Sequence, residues 1–254
     1  MEGAILFVVA LGWERAAIAR DIDVRPFGRV GGALLLKGFD RHGGIWILQT
    51  GMGGERAEAA MRWIADTVRP TTVLSTGCAG ALADSLVTGD MILAEEIVGA
   101  QGIARATDAT WCERYRAAAV DAGLRFRRGR LLTVPAILSR SEEKRRLGKE
   151  TNALAVEMEG AAIADWCRKA GVRFAAARVI LDPLETSIPV EIPAVTSHFG
   201  RLSTGALLRA VTRRPALIPE LARLAVASAK CRRAVVSVHR ELIRGLSRDG
   251  LLPN

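Results

Sequence analysis

The sequence predicts a three-layer α/β fold: a largely parallel mixed sheet flanked by helices, followed by an appended C-terminal helical element. Three observations carry that expectation. Apolar runs rich in Val, Ile and Leu recur along most of the chain, helical patterns separate several of them, and from about Arg201 the pattern turns wholly helical. Continuous apolar strands alternating with helices argue for parallel strands buried on both faces.

The first strand is AILFVVAL, residues 4–11. A secretory leader is not expected there, because Glu2 stands where a basic leader would and no small-residue cleavage site follows. The run is also too short to span a bilayer. ALLLKGF (33–39) and IWILQT (45–50) are the second and third strands, with DRHGG (40–44) read as the hairpin turn between them. TTVLST, MILAEEIV, RLLTV and FAAARVIL complete the strands, whereas ERAEAAMRWIADTV and EMEGAAIADWCRKAG have helical spacing. In the tail, Leu217, Leu221, Leu224, Val235, Val238, Leu242 and Leu246 fall near a 3.5-residue spacing. Pro215 fits a helix start, and Pro219 a first turn or a break. The expected division is residues 1–200 as the α/β domain and 201–254 as a basic helical extension packed on or beside it.

At 254 residues, half of them hydrophobic, the chain can bury a large core, which excludes a disordered protein. Cys78, Cys112, Cys167 and Cys231 form no CxxC pair, and with His42, His198 and His239 they make no zinc pattern. Reduced thiols in a cytosolic protein are the expectation. Charge is uneven: residues 201–254 hold 11 of the 36 basic residues and 3 of the 27 acidic ones, so nearly all of the net +9 lies there. That asymmetry points to an anionic partner or surface. Nucleic acid is not expected, because no aromatic residues interleave the tail's arginines.

Ligands of open α/β sheets gather at the carboxyl ends of the strands. IWILQT is followed there by the turn Gly51-Met52-Gly53-Gly54, and TTVLST by GCAGAL, which begins Gly77-Cys78-Ala79. Glycines in such turns let backbone N–H groups approach an anion or a hydroxyl, although a plain strand–helix turn explains them equally. A dinucleotide fingerprint is excluded, since Arg56 stands where a third glycine is needed. GWER places Glu14 and Arg15 at the end of the first strand; Asp182 ends the last one, where it could equally be a loop or cap residue. Glu157 and Glu159 open an apolar helical stretch, which the helix dipole alone could account for. Arg178 lies within an apolar strand and needs a carboxylate partner. Glu14, Glu159 and Asp182 with one buried arginine suit a neutral, hydroxyl-rich substrate: one carboxylate to grip a diol, one to protonate a leaving group, one to orient water.

These motifs resemble the nucleoside phosphorylase and nucleosidase superfamily, above all the methylthioadenosine/S-adenosylhomocysteine nucleosidases. VEMEGAAIA followed by RVILD is the most specific part, supported by TGMGGERA and STGCAGAL. The resemblance implies that Asp182 protonates the purine at N7. It implies that Glu159 holds the ribose hydroxyls, that Met158 packs against the sugar, and that Glu14 orients the attacking water with Arg178 close by. Ile137 and Leu138 fall where the family supplies the wall of the adenine pocket. Glu157 is left as a first-turn acid. No cofactor or metal is implied. Hexameric phosphorylases carry an Arg and a Ser for phosphate where this chain has Ser75 and Cys78, which favours water over phosphate; Arg15 keeps a displaced phosphate ligand open. Leu181 replaces a usual Ser, and VPAIL stands where a Gly-Asp pair is usual.

DPLETSIP, RRPALIPELARLA and the basic tail resemble the hopanoid-associated members of the superfamily. That implies an adenine nucleoside that is lipid-linked, namely adenosylhopane. It also implies a cytoplasmic protein held peripherally on an anionic membrane surface through residues 201–254. A helix covering the sheet, with a solvated basic face, is the alternative. The superfamily also implies a homo-oligomer.

Overall fold

In the computed structural model, which describes residues 3–39, 44–99, 101–189, 191–192, 197–198 and 203–251, a 10-stranded mixed sheet forms the centre. All five residues of β1 (Ile5–Val9) are apolar and buried. β1 pairs in parallel with β4 (Ile45–Gln49) on one side and β5 (Thr72–Ala81) on the other. β3 (Ala33–Gly38) and then β2 (Val24–Val30) extend that edge antiparallel. β3 and β4 thus form the predicted hairpin, although its turn residues 40–43 lie outside the described residues. The sequence pattern does not reveal β2, because its residues are largely exposed and carry no apolar run.

Beyond β5 the sheet curls back on itself. β10 (Arg173–Asp182) lies parallel to β5 and antiparallel to β6 (Met91–Val98). From β6 the order runs in parallel to β8 (Phe126–Thr133) and β9 (Ala153–Glu157), while β7 (Ala104–Ala106) hangs on β6. The ring of five strands closes at Gly80, which faces Val156 of β9 on one side and Asp182 of β10 on the other.

Alternation along β1 separates the outer layers, as the two-residue period of a strand requires. Leu6 and Val8 pack with α2 (Gly54–Thr67) and α5 (Gly160–Ala170) through Met61, Ile64, Ile163 and Cys167. Ile5, Phe7 and Val9 pack with α1 (Gly12–Ile18), α3 (Ala109–Asp121) and the long α7 (Leu217–Arg248). The predicted three layers follow.

The C-terminal helix is α7, preceded by α6 (Thr204–Arg213). Pro219 is accommodated in the first turn of α7, where its missing N–H costs no intrahelical bond. Val235, Val238, Leu242 and Leu246 are buried as their spacing predicts, whereas Leu221 and Leu224 are half-buried. The second half of α7 is therefore integral to the core, sharing a cluster with Phe7, Leu74 and Tyr115.

One boundary differs from the sequence reading. EMEGAAIADWCRKAG was expected to be helical from its first residue, but β9 ends at Glu157 and α5 begins at Gly160. Ala153, Ala155 and Val156 pair with β8, and the Glu157 carboxylate accepts the N–H groups of Glu159 and Gly160. A strand end and a helix start thus meet at one buried acid.

Candidate active site

The site assembles where β1, β4, β5, β9 and β10 end. β1 turns directly into α1 and delivers Glu14, which is buried. Its Oε2 accepts the N–H groups of Ala10 (3.1 Å) and Leu11 (2.9 Å), and its Oε1 accepts that of Cys78 (2.9 Å). Close approach depends on Gly77: a Cβ there would come within 2.4 Å of Oε1, and the residue sits at φ +147°. Burial pushes the Glu14 pKa up; the Leu11 and Cys78 N–H groups and the Arg178 charge partly offset it.

Arg178 has the carboxylate partner its burial requires, and that partner is Glu157. Nη2 donates to Glu157 Oε2 at 2.7 Å and to Ser75 Oγ at 2.8 Å, and Nη1 donates to the Ala177 carbonyl at 3.2 Å. Glu157 also accepts the Thr133 hydroxyl. The expectation that Glu157 is only a first-turn acid is therefore corrected. It anchors Arg178 and, through its backbone N–H partners, fixes the turn that presents Met158 and Glu159. The signal available in the sequence was the need of Arg178 for a buried acid.

Glu159 precedes α5 and is buried, with Oε1 accepting the Gly53 N–H at 2.7 Å. Burial and then the charge of Glu157 push its pKa up to about 8, because Arg178 pairs with Glu157 and leaves Glu159 without a cation of its own. The N–H groups of the Gly51–Gly53 turn are all spent on protein acceptors: Gly51 on Ala10 O (3.0 Å), Met52 on His198 O (2.7 Å) and Gly53 on Glu159. They are not open to an anion, contrary to the reading of that turn as an approach for one. Gly51 and Gly53, at φ +84° and +102°, shape the turn, and Met52 alone of the three lines the cleft.

Asp182 closes β10 and is buried; Gly80 permits this, since a Cβ there would lie 3.0 Å from its Oδ2. Oδ2 is held by the ammonium of Lys144, from α4 (Ser141–Thr151), itself fully buried. Burial raises the Asp182 pKa to about 6 against the opposing pull of Lys144. Sequence reasoning missed Lys144 because SEEKRRLGKE reads as a solvated charged helix. A faint signal exists: Lys144 shares a helix face with Leu147, Gly148 and Thr151, and a Cβ on Gly148 would meet the Leu82 carbonyl at 2.5 Å.

Glu14, Glu157, Glu159, Arg178 and Asp182 line one cleft of about 170 Å³ with Met158, Gly77, Cys78 and Ala79. Ile137, Leu138, Leu181 and Ile188 add an apolar wall. The loop carrying Ile137 is tied down by the Ile188 N–H, which donates to Ser139 O at 3.1 Å. Burial, then the charge of Glu14, pushes the Cys78 thiol well above its ordinary value, so it stays neutral. Arg15 does not line the cleft; its Nε donates to Gln49 Oε1 at 2.9 Å. Among the described residues, no group of three or more His, Cys, Asp or Glu is placed to hold a metal ion, and all four cysteines are free thiols.

A curled mixed sheet with four buried carboxylates gathered at its strand ends defines an enzyme of the α/β class. The family model of the phosphorylase superfamily matches residues 4–212, and the chain belongs to that superfamily. Among curated proteins it is similar to the 5′-methylthioadenosine/S-adenosylhomocysteine nucleosidase of Shewanella loihica. The two are 27% identical over 186 residues, covering 65% of this chain and 81% of that protein. Similar solved structures include the futalosine hydrolase of Helicobacter pylori, at TM-score 0.73 and 19% identity over 97% of this chain and 99% of that one. Another is the H. pylori 5′-methylthioadenosine/S-adenosylhomocysteine nucleosidase bound to butyl-thio-DADMe-Immucillin-A, at TM-score 0.71 and 18% identity over 98% and 99%.

Proposed function

We propose that the protein hydrolyses the N-glycosidic bond of a 5′-substituted adenine nucleoside and releases adenine. The observation that carries this reading is a division of labour within one buried cleft. Glu14 is held by three backbone N–H groups, which fix its carboxyl group where it can orient water. Asp182 has one oxygen, Oδ2, on Lys144, which leaves Oδ1 to serve as the proton donor. As the C1′–N9 bond stretches, Asp182 gives its proton to N7. The sugar flattens and gains positive charge, and water adds to C1′ while passing a proton to Glu14. Glu159 holds the ribose hydroxyls through the oxygen not committed to Gly53, with Met158 against the sugar and Ile137 and Leu138 against the base. No cofactor takes part.

Water is favoured over phosphate because the donors a phosphate would use are occupied. The N–H groups around Glu14 end on its carboxylate, and Arg178 Nη2 donates to Glu157 and Ser75. A dianion beside Glu14 would be repelled. Phosphorolysis of the same bond is the second reading.

For the 5′ group, we propose adenosylhopane, with ribosylhopane as the product. The apolar cleft wall supports it, as do the exposed Leu208, Ile218 and Val226 of α6 and the first part of α7, helices that also expose Arg209, Arg213 and Arg223. Such a surface suits the anionic inner face of a membrane; no helix among the described residues is long and apolar enough to cross one. A homo-oligomer belongs to the same reading. The test is adenine release from a panel of adenosines bearing hopanyl, methylthio or homocysteinyl groups at C5′. Preference for the hopanyl compound, with binding to anionic but not neutral vesicles, supports the lipid reading. Equal or better use of methylthioadenosine without vesicle binding reduces it to a soluble methylthioadenosine-type nucleosidase. Charge reversal of Arg209, Arg213 and Arg223 is the right perturbation for the vesicle arm, because truncation after Pro215 would remove core residues.

A further inference from the structure

Lys144 is a lysine with no access to solvent, and its surroundings account for all three of its ammonium hydrogens. Nζ donates to Asp182 Oδ2, to the Pro183 carbonyl at 3.2 Å and to the Thr186 carbonyl at 3.0 Å. Two of the three acceptors are carbonyls, which cannot donate in return, so the site is built for a charged ammonium and not for a neutral amine. Burying a lysine in this way costs several kcal/mol unless it is paired. Its backbone is also fixed: Gly148, one turn further along α4, lets the helix lie against the Leu82 carbonyl. Neighbouring charges are directed elsewhere, with Arg145 turned outward to Glu185.

We propose that Lys144 is the positioning residue of the proton donor: it clamps Oδ2 of Asp182, so that Oδ1 serves the leaving base, and it stabilises the carboxylate left behind when the proton departs. This rests on the reading of Asp182 as the general acid. The proton balance is simple. In the protonated acid the hydrogen sits on Oδ1; as the C1′–N9 bond breaks with both electrons passing to the base, that hydrogen moves to N7. The resulting carboxylate faces the ammonium of Lys144, while the proton of the attacking water goes to Glu14. Exchange with solvent afterwards restores both groups. Lys144 keeps its own proton throughout, acting as a fixed positive charge that makes Asp182 a stronger acid.

The charge of Asp182 is sensed by Cys78 on β5 and Cys231 on α7, and burial pushes both thiols up, so they remain neutral across the working range. Glu14 and Glu159 line the same cleft, and burial raises both of their pKa values, so the limb that belongs to the Asp182–Lys144 pair is the one that moves in Lys144 variants. In the full-length protein, Lys144→Met should shift the alkaline limb of kcat upward by about one pH unit or more, the size of effect an adjacent opposite charge has. It should lower the plateau on the acidic side by roughly tenfold, because a weaker acid transfers its proton less readily, and leave KM within a few-fold. Lys144→Gln should show the same limb shift, since its amide donates to Oδ2 without charge; it carries the test alone if the Met variant does not fold. A limb that stays in place in a folded variant, or a rise in KM at unchanged kcat, overturns the proposal. Asp182→Asn measured in parallel separates the two claims. If that variant is inactive while the Lys144 limb is unmoved, only the role of Lys144 falls; if it turns over normally, the acid assignment falls and takes this proposal with it.

Discussion

The guanidinium Nη2 of Arg178 and the Oε2 of Glu157 lie 2.7 Å apart, with both side chains sealed from solvent. This pair joins the middle of β10 to the end of β9, and Glu157 also accepts the first N–H groups of α5. Removing one partner of such a pair strands a buried charge, at a cost of about 3–5 kcal/mol. Glu157→Ala should therefore lower unfolding free energy by that order in urea titrations and lose activity with it. A variant as stable as the parent would show that the pair does not anchor the site.

Asp182→Asn should keep the fold, because the amide oxygen can still accept from Lys144, and should lower kcat by at least about a hundredfold. In the parent, the acid must be protonated to act, and its pKa is raised to about 6. Turnover should accordingly decline as pH rises through about 6. Near-normal turnover by a variant of unchanged thermal stability would contradict the assignment.

Contacts between Glu159 and the sugar hydroxyls strengthen as the ring gains positive charge, so their loss should fall on kcat as well as KM. Glu159→Gln should discriminate poorly between ribosides and 2′-deoxyribosides. Parent-like discrimination by that variant would move the diol contact to another residue.

His239 on α7 reports on the core and not on the site. Its Nδ1 lies 2.7 Å from the Val235 carbonyl, Phe7 and Tyr115 meet its ring edge-on, and Nε2 has no hydrogen-bond partner among the described residues. Burial lowers its pKa to about 4. As pH falls, the unfolded chain takes up this proton first, so the stability is present above the ordinary value near 6.5 and is lost progressively toward pH 4. The loss should amount to about 3 kcal/mol. His239→Phe should flatten the dependence of urea midpoints on pH over that interval; an unchanged slope would assign the acid sensitivity to other groups.

The fold was legible because its central strands are continuous apolar runs and its larger helices keep their period. What escaped was exposed or local. β2 carries no apolar run, and the β9–α5 junction hides a strand inside a helical-looking stretch, because AVE is read in either way until Glu157 is known to be buried. Glu14, Glu159, Arg178 and Asp182 were found through strand ends and resemblance, and all line one cleft. Glu157 and Lys144 were not assigned their places, since a partner supplied by a distant element leaves no mark at its own position. Lys144 in particular is camouflaged by the charged residues around it, and only the packing of α4 against Leu82 sets it apart.

The most direct test of the account is the mass of the sugar product formed from 5′-methylthioadenosine, or from the preferred 5′-substituted adenosine, with and without inorganic phosphate. The occupied donors around Glu14 predict adenine release at a rate independent of phosphate, with a free sugar as the sole partner product. Release that requires phosphate and yields the sugar 1-phosphate would contradict the assignment of water as the nucleophile and of Glu14 as the group that orients it.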